Sequence, residues 1–345
     1  MLDALQQEIR LRSGYLDDLP LHSIYLGGGT PSLLTAEELN TLFQTIRAYV
    51  TVEPGAEITL EANPDDLTAE KISQLRDTPV NRLSIGIQSF YDDELRYMHR
   101  AHNVAEGLRA LEAVSAAGFT SWTMDLIYGT PQLTEQRWAE SLYRVTDLGA
   151  PHLSAYQLTV EPKTALAHQI RQGTSPAPDD NATAQQFGVL MDWAEHSGYD
   201  HYEISNLARP GKRAVHNSAY WQGSPYLGIG PSAHSFNGLR REWNISNNAL
   251  YINSIANGSA REGFEVLTSD ERYNEYVMTG LRTLEGIHSA ELNTIGKEYA
   301  MHVTAGVQPF VDEGYVLKTA SGWALTRSGR FIADKIASEL FVVRE

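Results

Sequence analysis

Hydrophobic positions along this chain follow two different periods, which alternate over much of its length. Apolar residues at helical spacing predict an amphipathic helix over residues 2 to 17. A β-branched and aromatic run over residues 23–26 predicts a strand, which ends at three glycines, residues 27–29. A second helical pattern opens at Thr35, with Glu38 placed to form a capping box. The order helix, strand, glycine turn, helix is therefore the first organised part of the chain.

Four more strand patterns follow, each separated from the next by a helical pattern. They span residues 57–61, 82–87, 122–128 and 152–158. Strands that alternate with helices are typical of a parallel sheet. A barrel is favoured over an open doubly wound sheet, because no unit carries a dinucleotide fingerprint. The predicted fold is α/β, a (β/α) barrel of the TIM type, in which ligands bind at the carboxyl ends of the strands.

Polar residues occur where these strands end. The glycine turn offers backbone donors at Gly28, Gly29 and Thr30, and the following strands offer a carboxylate or an amide. Those side chains belong to Glu61, Gln88 and Asp125. Side chains at the ends of successive parallel strands converge, which predicts a site for one small ligand. A tight turn that binds nothing remains the alternative for the glycines alone.

Residues 173–268 have a less regular pattern. A loop over residues 173–184, a helix to about residue 197 and a strand near residues 199–204 are predicted. Residues 216–236 mix aromatics, glycines and histidines without a period, so an ordered loop is expected there. An imidazole beside aromatic faces suits a flat macrocycle that carries an iron. A packing loop whose histidines bind the backbone is the alternative.

From about residue 269 the pattern is mainly helical. Helices are predicted over residues 269–284, 289–300 and 304–313, followed by a small hairpin and a last helix from about residue 327, which together resemble a winged helix. Residues 269–345 contain 8 Lys and Arg and 11 Asp and Glu, so their net charge is negative, which is the wrong sign for a face that binds phosphate. A structural or partner-docking module is therefore expected.

Composition and charge limit the partners, the location and the kinds of site that the chain can have. The formal charge of −16 over 345 residues disfavours nucleic acid as a partner. No run approaches the roughly 18 apolar residues of a membrane helix, and the N-terminus has no signal-peptide pattern, so a cytoplasmic protein is expected that is not an integral membrane protein. The chain has no cysteine, which excludes disulfides, thiolate nucleophiles and iron–sulfur sites built from its own thiolates.

Five motifs follow one another along the chain. They are GGGTPS at residues 27–32, EANP at 61–64, SIGIQSF at 84–90, DLIYGTP at 125–131 and HNSAYW at 216–221. In this order they resemble those of the HemW-type heme chaperones, a family within the radical S-adenosylmethionine (SAM) superfamily that is related to the oxygen-independent coproporphyrinogen III oxidases. The resemblance extends over the whole chain.

This resemblance implies a fold, cofactors and site residues. The fold would be a partial (β/α) barrel of the radical SAM kind that lacks its first strand, with a winged-helix-like C-terminal module; the segments would be residues 1–172, 173–268 and 269–345. The positions that match SAM-contacting residues of the family are Gly28, Gly29, Thr30, Glu61, Gln88, Arg100 and Asp125. His216 matches the histidine of the HNxxYW heme motif. The implied function is to bind heme and deliver it to an acceptor protein, in solution or at a membrane; no oligomeric state is implied.

The chain departs from the family at its start. Members of the family begin with a strand and a CxxxCxxC loop that holds a 4Fe–4S cluster, which a chain without cysteine cannot bind as given. Either Met1 is an internal start, with roughly 30 to 40 residues upstream, or the chain is a cluster-less paralogue; the intact SAM positions favour the former. An oxygen-independent coproporphyrinogen III oxidase is the alternative function, impossible without those cysteines. A product that does not fold stably is a third possibility.

Overall fold

The computed structural model describes residues 1–259 and 261–344. Its first 208 residues form eight helices and seven strands, apart from short 3₁₀ turns, within the described range. They are α1 (Leu2–Arg12), β1 (Leu21–Leu26), α2 (Ala36–Tyr49), β2 (Val52–Ala62), α3 (Ala69–Arg76), β3 (Arg82–Gln88), α4 (Asp92–Tyr97), α5 (Val104–Ala116), β4 (Trp122–Tyr128), α6 (Glu135–Asp147), β5 (His152–Gln157), α7 (Ala165–Arg171), α8 (Asp180–Ser197), β6 (Asp200–Glu203) and β7 (Asn206–Ala208).

The remaining described residues form smaller elements. They are α9 (Val215–Trp221), β8 (His234–Phe236), β9 (Arg240–Asn244), α10 (Asn248–Ala256), β10 (Arg261–Val266), α11 (Ser269–Leu281), β11 (Ile287–His288), α12 (Ser289–Ile295), α13 (Lys297–Gly306), α14 (Gln308–Asp312), β12 (Val316–Lys318), β13 (Gly322–Leu325), α15 (Arg327–Arg330) and α16 (Ala333–Glu339). No helix in the described part of the chain combines the length and apolar character needed to cross a bilayer.

The chain divides into two compact units. The first unit comprises Met1–Ser23, Glu37–Ala56 and the chain from Val215 onward, and the second unit comprises Ile24–Ala36 and Glu57–Ala214. The division of the sequence at residues 172 and 268 stays a prediction.

The strands β1 to β7 form one mixed sheet, a half-barrel with the order β1-β2-β3-β4-β5-β7-β6. Neighbours from β2 to β5 are parallel, as the alternation of strands and helices predicts, and β7 is antiparallel to both β5 and β6. The five strands expected from the sequence are all present. The antiparallel end was not predicted, because β7 is only three residues long and carries no detectable period.

The core of the second unit follows from the apolar runs in β3 and β4. Leu83, Ile85, Met124 and Leu126 are fully buried. Burial of each such side chain contributes about 1.5–3 kcal/mol relative to exposure, so these runs fix both strands in the interior. The expected capping box starts α5: Asn103 accepts from the Glu106 backbone amide at 3.0 Å, and Glu106 accepts from the Asn103 amide at 2.8 Å.

The prediction of a loop over residues 216–236 was wrong at both ends. HNSAYW lies in the helix α9, and residues 234–236 form β8, the edge of a three-stranded sheet with the order β10-β9-β8. A helix of seven residues and a strand of three are too short for a hydrophobic period to emerge. In the C-terminal module the predicted helix over residues 289–300 is broken at Gly296, and α13 begins at Lys297.

A buried carboxylate joins distant parts of the first unit. Glu8 on α1 is fully buried and accepts three hydrogen bonds: from Tyr251 Oη at 2.6 Å, Asn244 Nδ2 at 2.7 Å and the Gly230 amide at 2.8 Å. Arg12, one helical turn further on, lies 3.5 Å from the same carboxylate. The network ties α1 to the turn before β8, to β9 and to α10.

Candidate functional site

The predicted strand-end residues lie together in the second unit. They line a cavity of about 260 Å³, to which Gly29, Thr30, Glu61, Gln88, Arg100 and Asp125 all contribute. Glu61 and Gln88 lie at the ends of β2 and β3, whereas Asp125 lies in the middle of β4. Gly28 joins them through its amide, which donates to Glu61 Oε2 at 3.2 Å. The expected convergence of these positions is thus a feature of the geometry.

Glu61 is held in place by the strand that precedes the glycine turn. Tyr25 Oη donates to Glu61 Oε1 at 2.7 Å. Burial, and then the neighbouring Glu61 carboxylate, raise the pKa of the Tyr25 phenol, which therefore keeps its proton and acts as the donor. A Cβ at Gly27 would lie 2.6 Å from the Tyr25 ring and 2.7 Å from the Glu61 carboxylate. Gly27 is thus required for this pair to pack.

Asp125 is the most perturbed acid of the cavity. Its carboxylate accepts from Ser84 Oγ at 3.1 Å. Desolvation by the surrounding protein raises the pKa of Asp125 to about 7, although the hydrogen bonds from Ser84 and Ser154 act in the opposite direction. Asp125 consequently changes its charge near neutral pH.

Gln88 owes its position to an irregular end of β3. It has a φ of +65°, in the left-handed region that non-glycine residues seldom adopt, and the pairing with β4 shifts register between Ile85 and Gln88. A Cβ at Gly86 would lie 2.7 Å from Gln88 Nε2. The glycine therefore lets the amide fold back over its own strand at the cavity. Arg100 reaches the same cavity from the segment after α4.

Sequence reasoning missed Tyr25, Ser84 and Ser154 as parts of this cluster. Glu61 pairs with Ser84 across β2 and β3, and Asp125 pairs with Ser154 across β4 and β5. The sequence does hold a signal for Ser84: Ser84, Gly86 and Gln88 are two residues apart, so they share one face of β3. The register between strands, which places each serine beside a carboxylate, could not be read from one sequence.

The polar groups of this cavity suit a ligand that carries both a positive and a negative charge. Two carboxylates, one guanidinium and the backbone amides of a glycine turn can pair with an ammonium, a carboxylate and hydroxyl groups. They do not suit an iron–sulfur cluster, because the chain has no thiolate. Among the described residues, no group of three or more histidines and acidic residues is placed to hold a metal ion.

His216 lies in the first unit, on α9. Its Nδ1 is 3.1 Å from Ser23 Oγ. One turn along the same helix, Tyr220 packs edge-to-face against Trp221 at a centroid distance of 5.5 Å and tilts against Tyr226 at 5.8 Å. The imidazole and an aromatic surface are thus presented by one short helix.

Comparisons with known proteins find related sequences over almost the whole chain. Models for the radical SAM superfamily and for the HemN C-terminal domain match residues 5–143 and 267–332. The heme chaperone HemW of Mycobacterium tuberculosis is 35% identical over 338 residues, covering 98% of this chain and 85% of that protein. HemW of Bacillus subtilis is 31% identical over 338 residues, covering 97% and 89%.

A solved structure shares the architecture. Coproporphyrinogen III oxidase (HemN) from Escherichia coli, described as a radical SAM enzyme, matches with a TM-score of 0.83 at 24% identity, covering 99% of this chain and 82% of that one. This likeness concerns the fold alone, and it confirms the partial barrel with a helical C-terminal module. The extent and identity of the sequence matches decide the assignment: the chain belongs to the HemW heme chaperone family of the radical SAM superfamily.

Proposed function

We propose that this chain binds heme and passes it to an acceptor protein. Its relatives are named for that role. The observation in this molecule that carries the proposal is the setting of His216: its Nδ1 contacts Ser23 Oγ, and the helix α9, on which it lies, also presents aromatic rings. We keep a cytoplasmic location as part of the proposal. The acceptor is defined only by its role, an apoprotein that takes heme.

The heme iron would be ligated by His216. A histidine that binds a metal through one ring nitrogen commonly has its other nitrogen held by a second group, which fixes the tautomer and the orientation of the ring. The Ser23 hydroxyl supplies that contact at Nδ1, so Nε2 is the atom we assign to the iron. Tyr220, which is 52% exposed, offers a ring against which the macrocycle can pack.

We further propose that the polar cavity of the second unit binds SAM. Backbone groups of Gly28, Gly29 and Thr30 would pair with its ammonium and carboxylate, and Arg100 with its carboxylate. Glu61, Gln88 and Asp125 would bind its ammonium and ribose hydroxyls. SAM would supply a sulfonium group that can be cleaved by an added electron. Because this chain has no ligands for the cluster that delivers such an electron, its own residues bind and orient SAM only.

SAM binding is expected to depend on pH through Asp125. The pKa of about 7 means that the carboxylate is mostly protonated at pH 6 and mostly ionised at pH 8. If the ionised form is the one that binds, affinity rises roughly tenfold between these pH values. Equilibrium dialysis with labelled SAM measures this, and Asp125→Asn should abolish the pH dependence.

The control for that experiment is Asp147→Asn, which removes an exposed carboxylate at the end of α6. It should keep the wild-type dependence on pH. A wild-type affinity that is as flat with pH as that of Asp125→Asn would contradict the assigned role of Asp125.

The proposed function is tested by adding hemin to the purified chain and then adding an apo-hemoprotein. We expect a stable complex with a shifted Soret band, which decays as the acceptor's own band grows. The alternative, decarboxylation of coproporphyrinogen III, is assayed with SAM under anaerobic reducing conditions on a variant to which the CxxxCxxC segment of the family has been added, because the chain as given has no cysteine. Product in that assay together with no hemin complex would replace the chaperone by the oxidase.

A further inference from the structure

The segment between β3 and α5 carries two of the side chains that line the polar cavity. Gln88 lies at its start, where β3 ends, and Arg100 lies near its other end, after α4. The whole segment belongs to the second unit. Its hydrogen bonds indicate what holds the two side chains at the cavity.

Gln88 is the middle residue of a tight turn. Its φ is +65°, and the Ser89 amide donates to the Ile87 carbonyl oxygen at 2.8 Å, across a single residue. A positive φ together with a hydrogen bond between residues i and i+2 defines a γ-turn of the rare, strained kind. Such a backbone conformation persists only where the surrounding contacts hold it.

His102 supplies one of those contacts. Its Nε2 lies 3.1 Å from the Ile87 carbonyl oxygen, and the residue is only 5% exposed. Because a carbonyl oxygen can only accept, Nε2 carries the hydrogen of this bond. The Ile87 carbonyl therefore accepts two hydrogen bonds, one from within the turn and one from His102 outside it.

Both flanks of the turn are anchored to helices. His102 directly precedes Asn103, the N-cap of α5, whose backbone is fixed by the capping box. On the other flank, Ser89 Oγ donates at 2.6 Å to Oε2 of Glu94, in the first turn of α4. Ser89 and Glu94 are both buried. These anchors leave Gln88 little freedom to move away from the cavity.

Arg100 takes its direction from the end of α4. The His99 amide donates to the Arg96 carbonyl at 3.1 Å, and the Arg100 amide donates to the Leu95 carbonyl at 2.9 Å. His99 lies between them with a φ of +54°. Two such bonds around a left-handed residue form a Schellman motif, in which that residue is usually glycine. A histidine therefore adopts here a backbone conformation that costs a side chain energy.

The His99 side chain itself is exposed, so it contributes little to a packed core. What the cavity uses is the left-handed backbone of this residue, since Arg100 comes next in the chain. Two non-glycine residues with positive φ, Gln88 and His99, thus lie in or directly beside the residues that line one cavity. Strained backbone of this kind is common at ligand-binding sites, where it fixes a side chain before the ligand arrives.

We propose that His99 and His102 are positioning residues of the polar cavity. His102 holds Gln88 in its strained turn through the Ile87 carbonyl, and the left-handed backbone of His99 aims Arg100 at the carboxylate of the ligand. This inference rests on the proposed SAM site and deepens it, because it names residues that act on SAM only through their neighbours. Side chains that are ordered in advance raise affinity, since less freedom is lost on binding.

The test is equilibrium dialysis of the full chain with two labelled probes, SAM and decarboxylated SAM. The second probe keeps the ammonium and the ribose but lacks the carboxylate assigned to Arg100. His102→Leu removes the donor to Ile87 and should lower the affinity for both probes by about fivefold or more, because Gln88 is released. His102→Gln can place an amide donor where Nε2 lies and should restore binding to within about twofold of the wild type.

A pair of variants at His99 separates positioning from general stability. Valine is β-branched and disfavours the left-handed region, so His99→Val should lower the affinity for SAM by about fivefold or more. Its affinity for decarboxylated SAM should stay at the wild-type value, because only Arg100 is misdirected. His99→Gly adopts the turn readily and should restore SAM binding. A loss of stability alone would weaken both probes alike.

Two further variants calibrate the measurement. Arg100→Ala should weaken SAM but not decarboxylated SAM, which gives the largest effect that His99→Val can reach. His196→Ala removes an exposed histidine near the end of α8 and should bind both probes as the wild type does. Circular dichroism of each variant shows whether the fold is intact, and should His102→Leu fail to fold, the pair at His99 decides alone.

The outcomes separate this inference from the proposal on which it rests. If the wild type binds neither probe, the SAM site fails and this inference fails with it. If Arg100→Ala weakens SAM while His99→Val and His102→Leu bind both probes normally, the positioning roles are overturned and the SAM site stands. Equal losses for both probes in His99→Val, or a loss in His99→Gly as large as in His99→Val, also overturn the role of His99. Hemin binding tests the chaperone role independently of these results.

Discussion

Replacement of His216 with alanine is expected to lower the affinity of the chain for hemin by about a hundredfold or more. Loss of a group that merely orients a metal ligand typically costs 10- to 100-fold in affinity, so loss of the ligand itself should cost at least as much. The Soret band should at the same time move towards that of hemin without a histidine ligand. The measurement is a hemin titration with retention on gel filtration as a second readout.

The fold should tolerate this substitution. His216 is only partly buried, on a seven-residue helix, so alanine there leaves no large cavity. A drop in hemin affinity without a change in the unfolding transition would therefore report on the ligand. Hemin retention at the wild-type level in His216→Ala would remove this residue from the site.

Ser23→Ala provides a graded companion to that variant. It removes the hydroxyl that contacts His216 Nδ1 at 3.1 Å and leaves the imidazole in place. We expect affinity between that of the wild type and that of His216→Ala, about tenfold below the wild type. An effect as large as that of His216→Ala would instead indicate that β1 carrying Ser23 is disturbed as a whole.

The parts of the fold that the sequence could predict are those with a long or continuous pattern. The strands β3 and β4 are seven residues each, with runs of fully buried side chains, and both were predicted to within one residue. The polar cavity could also be anticipated, because a parallel sheet brings its carboxyl strand ends together wherever its polar residues lie in the sequence.

What could not be predicted depends on register and on contacts between distant residues. The helix α9 is set by its surroundings rather than by a period of its own, and the opposition of His234, Trp243 and Gly263 exists only once three short strands have paired. Likewise, Tyr25 and Gly27 gain their roles from the position of Glu61, more than thirty residues away. The sequence around each of these residues does not indicate which residue it contacts.

The most remote of these contacts concerns Glu8, and its replacement with alanine is expected to destabilise the chain by about 3–5 kcal/mol. The carboxylate accepts from Tyr251, Asn244 and the Gly230 amide, from 222 to 243 residues away, and lies beside Arg12. Alanine would leave three buried donors and one cation without this acceptor, and each unsatisfied buried donor costs about 1–3 kcal/mol before relaxation. Urea unfolding followed by circular dichroism measures the loss.

The control is Glu112→Ala, which removes an exposed carboxylate on α5 and should change the free energy of unfolding by less than about 0.5 kcal/mol.

Should Glu8→Ala fail to fold, Tyr251→Phe tests the same network. It keeps the ring and removes only the hydroxyl that contacts Glu8 at 2.6 Å, with an expected cost of about 1 kcal/mol. If the network is as coupled as its distances indicate, Glu8→Ala combined with Tyr251→Phe will cost less than the sum of the single variants, because the phenol no longer lacks an acceptor. Additive losses, or a cost below 1 kcal/mol for Glu8→Ala, would mean that α1 is held chiefly by its apolar contacts.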